Sequence, residues 1–441
     1  KRVFAAAYLK RACLLIWFAL ALNRTDILKK WELMTELSHA QKIKCMIALI
    51  SALAVVSITS SLNWPILAEA LRNQGYSESL IGINAAAQFG GIIIVALAAP
   101  RIIPALGFFK AILLGFAIVA LALVALPVFR GFETWLVIRF LLGVGNSLLF
   151  TAGDTWVNQI VDDRVRGRWM GIYVTVGMAG WAVGPILGAY LDPDTVWPFL
   201  SGLVAVAIAA CFLMPARKLD VRLSASERGL ALGLATVFLA APTVLLSSAM
   251  FGIVEGAMQS FAHLYTMDVL GAQYRQTGYA VIWVGAVAAI FFQYPIGWLA
   301  DKINRHWLLI FCVLMLMLSI LLFPVLIEGS LADWWQPQAL ALWAVVSLWG
   351  GAMGGIFTVG ITLLGQRFRG VELVSANAVF SVLFGVGGLL GPFIVGTAMT
   401  AIGPAGFPVS LVVAVGLYGL MAPCLSSALI RSLGLPSRST P

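Results

Sequence analysis

The sequence predicts an all-α integral membrane protein: twelve transmembrane helices in two six-helix bundles, with both ends of the twelve-helix unit in the cytoplasm. Three observations predict it. Twelve apolar stretches between Met46 and Leu429 are each long enough to cross a bilayer, which takes about 20 residues of helix. Nearly every Lys and Arg sits in alternate connecting loops, the pattern that sets orientation. A mean hydropathy of +0.97, with 61% hydrophobic and 11% charged residues, leaves too little polar surface to cover a water-soluble chain of 441 residues. In hydrocarbon each backbone N–H and C=O is paired within its own segment, so the spans are helices.

In order, the first span, 46–68, follows Lys42 and Lys44 and stops before Arg72. The second, 79–99, runs into Arg101, and the third, 108–128, carries Lys110 near its start and ends before Arg130. The fourth, 133–158, precedes the Arg164, Arg166 and Arg168 cluster. The fifth and sixth are 169–191 and 196–214, the sixth ending at Arg217 and Lys218. The second half reads 242–266, 278–299, 307–327, 338–364, 374–400 and 405–429. Arg275 precedes the eighth span and Lys302 and Arg305 follow it; Arg367 and Arg369 follow the tenth, and Arg431 and Arg438 the last. The opposite set of loops holds only Arg72, Arg130 and Arg275, so the richer set faces the cytoplasm. Basic loops beside anionic lipid account for the net charge of +9, and no nucleic acid is implied.

Residues 46–215 and 242–430 are thus two bundles joined by a cytoplasmic linker, 216–241, and followed by a tail, 431–441. The apolar run Gly229–Ala241 is either an interfacial helix or an early start to the seventh span. Residues 1–45 fit less simply. Ala12–Leu22 is apolar behind Lys10 and Arg11 but too short to span, and resembles a signal-peptide core. The region reads as an extension, or as sequence upstream of a start at Met34 or Met46. Five scattered cysteines and three histidines give no disulfide framework, no metal site and no implied cofactor.

The two halves repeat one another. The fifth span contains Gly180, Gly184, Pro185 and Gly188; the eleventh contains Gly387, Gly388, Gly391, Pro392 and Gly396. Such faces allow close helix approach, and proline bends the helix, so these are candidate hinge or packing helices.

After the eighth span the chain reads Gly297-Trp-Leu-Ala-Asp301-Lys302-Ile-Asn-Arg305-His306. This resembles the G-x-x-x-D-[RK]-x-x-[RK]-[RK] loop of the major facilitator superfamily. The first-half counterpart is reduced to Arg101 and Lys110, with Pro100 where an acid would stand. Arg139, Gly143 and Gly145 are similar to the family's R-x-x-x-G-x-G motif, and the Gly-Pro face of 180–188 to that of drug:proton antiporters. Asp154-Thr-Trp156-Val-Asn158, with the arginine cluster, Gly171 and Tyr173, resembles the YcaD-like bacterial branch. The resemblance covers residues 46–430 and implies a monomeric carrier of a small molecule in the bacterial inner membrane, not an enzyme.

Ionisable residues at mid-membrane depth are costly and therefore functional candidates. Glu255 lies thirteen residues into the seventh span, about 20 Å deep. Gln259 and His263 follow on the same face. Desolvation makes a charged carboxylate expensive there, so Glu255 is a candidate to take up and release the coupling proton; a structural carboxyl is the alternative. The family motif implies that Arg139 aids coupling by biasing a nearby acid, and a structural clamp is again the alternative. Asp154 is fifteen residues, about 22 Å, from Arg139 on the same helix, too far for a pair. Asp154, Arg101, Asp301, Lys302 and Arg305 instead form a candidate cytoplasmic gate, a set of ion pairs between bundles that separates when the carrier faces inward. Topology-setting charge is the simpler reading.

Of the uncharged polar residues within spans (Asn63, Asn84, Gln88, Asn146 and Gln293), Asn63, Gln88 and Gln293 are the candidates to line a substrate cavity, with Gln259, His263 and Trp283. Trp64, Trp156, Trp181 and Trp349 could make that cavity aromatic, although most such tryptophans anchor or pack. The expected activity is proton-coupled export of an amphipathic or apolar compound. The alternatives are proton symport of a sugar or carboxylate, for which Arg139 is the one buried cation available, or a sensor with the same fold.

Overall fold

The computed structural model describes residues 39–160, 166–219, 234–328, 337–368 and 371–432. The Ala12–Leu22 run, Met34, Arg164, the linker from 220 to 233 and Arg369 lie outside these residues, as does the tail from 433 onward. The first half consists of α1 (His39–Asn73), α2 (Glu78–Leu106), α3 (Phe108–Val128), α4 (Phe132–Ile160), α5 (Arg166–Gly188) and α6 (Trp197–Leu213). The second consists of α7 (Pro242–Leu270), α8 (Arg275–Lys302), α9 (Arg305–Glu328), α10 (Pro337–Arg367), α11 (Val371–Ile402) and α12 (Gly406–Ser432). Eleven stretches among the described residues are long and apolar enough to cross a bilayer; the last, Ala376–Met421, holds α11 and most of α12.

Local chemistry sets the boundaries. Gly107, at φ +83°, lets α2 turn directly into α3, a backbone conformation that other residues rarely adopt. Leu234–Ala240 forms a separate short helix, and Pro242 in the first turn starts α7 afresh after the break at Ala241. The described part of the apolar run, 234–241, is thus a short helix separate from α7, with its Val237 fully buried; residues 229–233 lie outside the described residues.

The two halves use the same helix pairings. In the first, α1 meets α5 and α6, and α4 meets α2 and α3; in the second, α7 meets α11 and α12, and α10 meets α8 and α9. The halves join through α2 against α11 and α5 against α8, which is itself a symmetric exchange. Burial reaches 72% in the spans of α1 and α7 and 61% in those of α4 and α10, so these four enclose the centre. The outer helices expose large apolar side chains such as Leu121, Val128, Leu314 and Val325, which suits contact with lipid rather than water.

The glycine rows make the closest contacts. Gly180 lies against the Ala54 carbonyl and Gly184 against Ser61 of α1, while Gly387 and Gly391 lie against the carbonyls of Ala249 and Ile253 of α7. The repeat read from the sequence thus places each Gly-Pro helix on the first helix of its own half. Gly188 continues the row onto the Tyr279 ring of the other half.

Candidate functional site

Where the halves meet at mid-depth, Glu255 of α7 is partly buried. Gln259 Nε2 donates to its Oε1 at 3.0 Å, and the Trp181 indole N–H of α5 is aimed at the same carboxyl. Glu255 therefore touches both halves. Trp181 packs on a small apolar cluster of Trp64, Ala85 and Phe89, which Phe384 and Leu389 join from α11. Aromatic rings continue across the junction: Trp64 to Phe89 at 5.0 Å, Phe89 to Phe384 at 5.9 Å, and Phe384 to Phe251 at 5.7 Å.

On the far side of Trp64, the Arg139 guanidinium of α4 lies 4.7 Å from the ring centroid. Arg139 is 1% exposed, and its Nε and Nη2 have no hydrogen-bond partner among the described residues. Amides cluster on the neighbouring helices. Asn63 commits its Nδ2 to the Thr59 carbonyl at 2.7 Å, leaving Oδ1 unpaired. Both side-chain polar atoms of Asn84, and Oε1 of Gln88, are buried and unpaired among the described residues. The Gln88 backbone packs on Gly143, one turn from Arg139, which brings α2 and its two amides beside the cation. No acid pairs with Arg139 among the described residues, so the acid that the family motif implies beside it is not Glu255 in this conformation.

The remaining sequence candidates separate. His263 is fully buried two turns along α7, its ring 5.0 Å from that of Tyr279. Gln293 Nε2 reaches Met178 Sδ across the halves at 3.0 Å, and Trp283 is partly buried on α8. Trp156 and Trp349 are buried in the packed core, stacked on Phe108 and Phe407. Among the gate residues, Arg101, Asp154, Asp301 and Lys302 are exposed. Asp154 accepts from Tyr173 of its own half. Arg305 donates to Asp301 at 3.3 Å and to the Ala300 carbonyl at 2.9 Å, and Lys302 sits 3.7 Å over the Trp298 ring. Tyr173 lies in the half of Asp154, and Asp301, Ala300 and Trp298 lie in the half of Arg305 and Lys302. Nearby Gly171 and Gly177 of α5 and Gly297 of α8 have open space where a Cβ would point.

The opposite end is bound by residues that the sequence reading passed over. Arg275 Nε donates to Glu69 Oε1 at 2.6 Å, and its other nitrogens reach the carbonyls of Ala189 at 2.7 Å, Leu191 at 2.8 Å and Gly188 at 3.0 Å. Tyr279 Oη donates to Glu69 Oε2 at 2.7 Å. Arg72 pairs with Asp268, and Ser79 bonds Thr400 at 2.8 Å. Every one of these contacts crosses between halves. Their signal in the sequence is the placing of Glu69, Arg72, Asp268 and Arg275 at the edges of the first, seventh and eighth spans.

No group of three or more His, Cys, Asp or Glu side chains gathers as metal ligands would, among the described residues. Comparison with known proteins agrees with a carrier. A family model described as Major Facilitator Superfamily matches residues 49–292 and 283–440. The uncharacterized MFS-type transporter YfkF of Bacillus subtilis is 22% identical over 358 residues, 78% of this chain and 86% of that protein. YcaD of Escherichia coli, also an uncharacterized MFS-type transporter, is 26% identical over 329 residues, 73% and 80% of the two chains. The fold matches a bacterial homologue of the human lysosomal transporter Spinster, in an inward-facing and unoccupied conformation, with a TM-score of 0.68 at 15% identity over 90% of this chain and 98% of that one. It also matches the nucleoside transporter NupG, with a TM-score of 0.67 at 12% identity over 88% and 98%. The chain belongs to the Major Facilitator Superfamily of membrane transporters, in its YcaD-like branch.

Proposed function

We propose that this protein is a proton-coupled secondary carrier that exports a small amphipathic compound across the bacterial inner membrane by alternating access. In this reading the chain acts as a monomer, crosses the membrane twelve times and keeps both ends of that unit in the cytoplasm. The observation that carries it is the position of Glu255, held between Gln259 of its own helix and Trp181 of the other half. A carboxyl there gains or loses its proton at the surface along which the halves part, so protonation and opening act on one another. The aromatic rings from Trp64 to Phe251 offer an apolar solute a surface at the same depth.

The Arg72–Asp268 and Glu69–Arg275 pairs then seal the outer side, and the chain faces inward. When the outer side opens these bonds break. Arg101, Asp154, Asp301, Lys302 and Arg305 come together on the cytoplasmic side and hold that end shut. The Gly-Pro helices α5 and α11 carry the movement.

Proton movement in proteoliposomes tests the reading, with hydrophobic cations, sugars and organic acids as the challenge and Glu255→Gln in parallel. The expected result is solute-dependent proton flux, outward solute for inward proton, that Glu255→Gln abolishes. Equal flux in both proteins would remove Glu255 from coupling, and solute binding without flux in either would end the transport reading.

A further inference from the structure

We infer that the exported compound is an organic anion, with a carboxylate head seated on Arg139 and an apolar body along the rings that begin at Trp64. This rests on the carrier reading above and names its substrate class.

The argument starts from an uncompensated charge. A guanidinium cannot shed its proton in practice, and burial without a counter-ion costs several kcal/mol. Arg139 is 1% exposed, yet no carboxylate lies within ion-pair distance of it among the described residues. The Trp64 ring, 4.7 Å from the guanidinium carbon, offsets part of that cost. It leaves Nε and Nη2 without a hydrogen-bond partner among the described residues.

The two unpaired nitrogens are also the informative ones. Nε and Nη2 form one edge of the guanidinium, and their N–H bonds run parallel. That edge matches the two oxygens of a carboxylate, which accept both hydrogens at once. Asn84 Nδ2, on the helix that packs beside Arg139, is a third buried donor without a partner. Water could bond these groups but would leave the charge uncompensated. A single cation, with no second positive group beside it among the described residues, favours a monoanion.

The rest of the solute is fixed by what borders the cation. Trp64 lies 4.7 Å from the guanidinium carbon, and beyond it come Phe89, Phe384 and Phe251, while Trp181 joins the same cluster from α5. A flat apolar or aromatic body can lie along these rings with its head at Arg139. Its other end then approaches Trp181, which packs on the same cluster from α5.

Equilibrium dialysis against the purified full chain in phosphatidylcholine nanodiscs tests this with three probes of one body and different heads: 2-naphthoate, 2-naphthalenemethanol and 2-naphthylmethylammonium. The expected result is a preference for 2-naphthoate of about tenfold to a hundredfold, the range for hydrogen bonds to a charged group. Arg139→Met should abolish that preference by weakening 2-naphthoate far more than 2-naphthalenemethanol, and Arg139→Lys should keep part of it. Thermal unfolding provides a second reading that does not depend on activity. Arg139→Met should raise the melting temperature of the empty protein, and 2-naphthoate should stabilise the wild type alone. Equal affinity for the three probes in the wild type would overturn the inference, as would an Arg139→Met protein that loses all three alike. Glu255→Gln should lose proton flux while keeping the preference for 2-naphthoate over 2-naphthalenemethanol, whatever its effect on the affinity for the two. A wild type that shows the Arg139-dependent preference but moves no protons would end the coupling reading and leave the anion site standing.

Discussion

Arg275 Nε lies 2.6 Å from Glu69 Oε1, so a residue that opens α8 is bound to one near the end of α1, across the line dividing the two halves. Glu69 is 3% exposed, and removing its cation leaves a buried carboxylate uncompensated, a loss of about 3–5 kcal/mol for such pairs. Arg275→Gln should therefore loosen the closed end. A disulfide between Ser79→Cys and Thr400→Cys, whose native hydroxyls are 2.8 Å apart, reads this directly. It should form readily in the parent and several-fold more slowly with Arg275→Gln. An unchanged rate would show that the pair does not hold the closure.

Tyr279→Phe should be milder. It deletes one bond to the Glu69 carboxylate, worth about 1.5–3 kcal/mol, and keeps the ring that faces Gly188 and His263. Because both groups act on Glu69, the effects of Tyr279→Phe and Arg275→Gln on unfolding should fall short of or exceed their sum. Strict additivity in a double-mutant cycle would argue against a shared network.

Two glycine substitutions separate packing from propensity. A Cβ at Gly391 would meet the Ile253 carbonyl of α7, so Gly391→Ala should destabilise by about 1–3 kcal/mol. Gly297 has open space around it, and Gly297→Ala should be neutral or stabilising by up to about 1 kcal/mol through helix propensity alone. Thermal melts of the two variants in one detergent make the comparison, and equal shifts would contradict the contact.

Asp301→Asn distinguishes a gate from an ornament. Asp301 is 76% exposed and its pair with Arg305 is 3.3 Å long, so losing it should change stability by no more than about 0.5 kcal/mol. Solute flux should nonetheless fall at least tenfold if, as proposed, Asp301 bonds across the halves when the outer side opens. Unaltered flux would return Asp301 to the role of a topology-setting charge.

The spans were legible because hydrocarbon demands about 20 apolar residues at a time and tolerates few charges, a demand written into contiguous sequence. The Gly-Pro repeat was legible for a similar reason, since Gly184-Pro185 and Gly391-Pro392 stand at matching places in two halves. The closing network was not. Glu69 falls one residue past a span drawn to 68, and its partner Arg275 is 206 residues away, a separation that no local pattern encodes. Arg72 and Arg275 looked like the minority charges of a loop. Asn84 was visible as a polar residue in a span, but only the fold reveals that both its side-chain polar atoms are buried without a partner among the described residues, on the helix that packs against that of Arg139. Trp156 and Trp349 illustrate the converse: residue type suggested a cavity wall, and packing placed both in the core.

The glycine rows have a mechanical consequence. Where α5 meets α1, and α11 meets α7, much of the contact is backbone on backbone, with few side chains between to change rotamer. Such a contact has almost no slack, so it transmits a push without deforming. Spin labels on α1 and α5, or on α7 and α11, should keep one fixed separation throughout the working cycle, while a pair spanning α1 and α7 alternates between two. Each half would then behave as a lever of constant shape, and the energy of a bound proton or solute would be delivered whole to the seam rather than dissipated within the bundle.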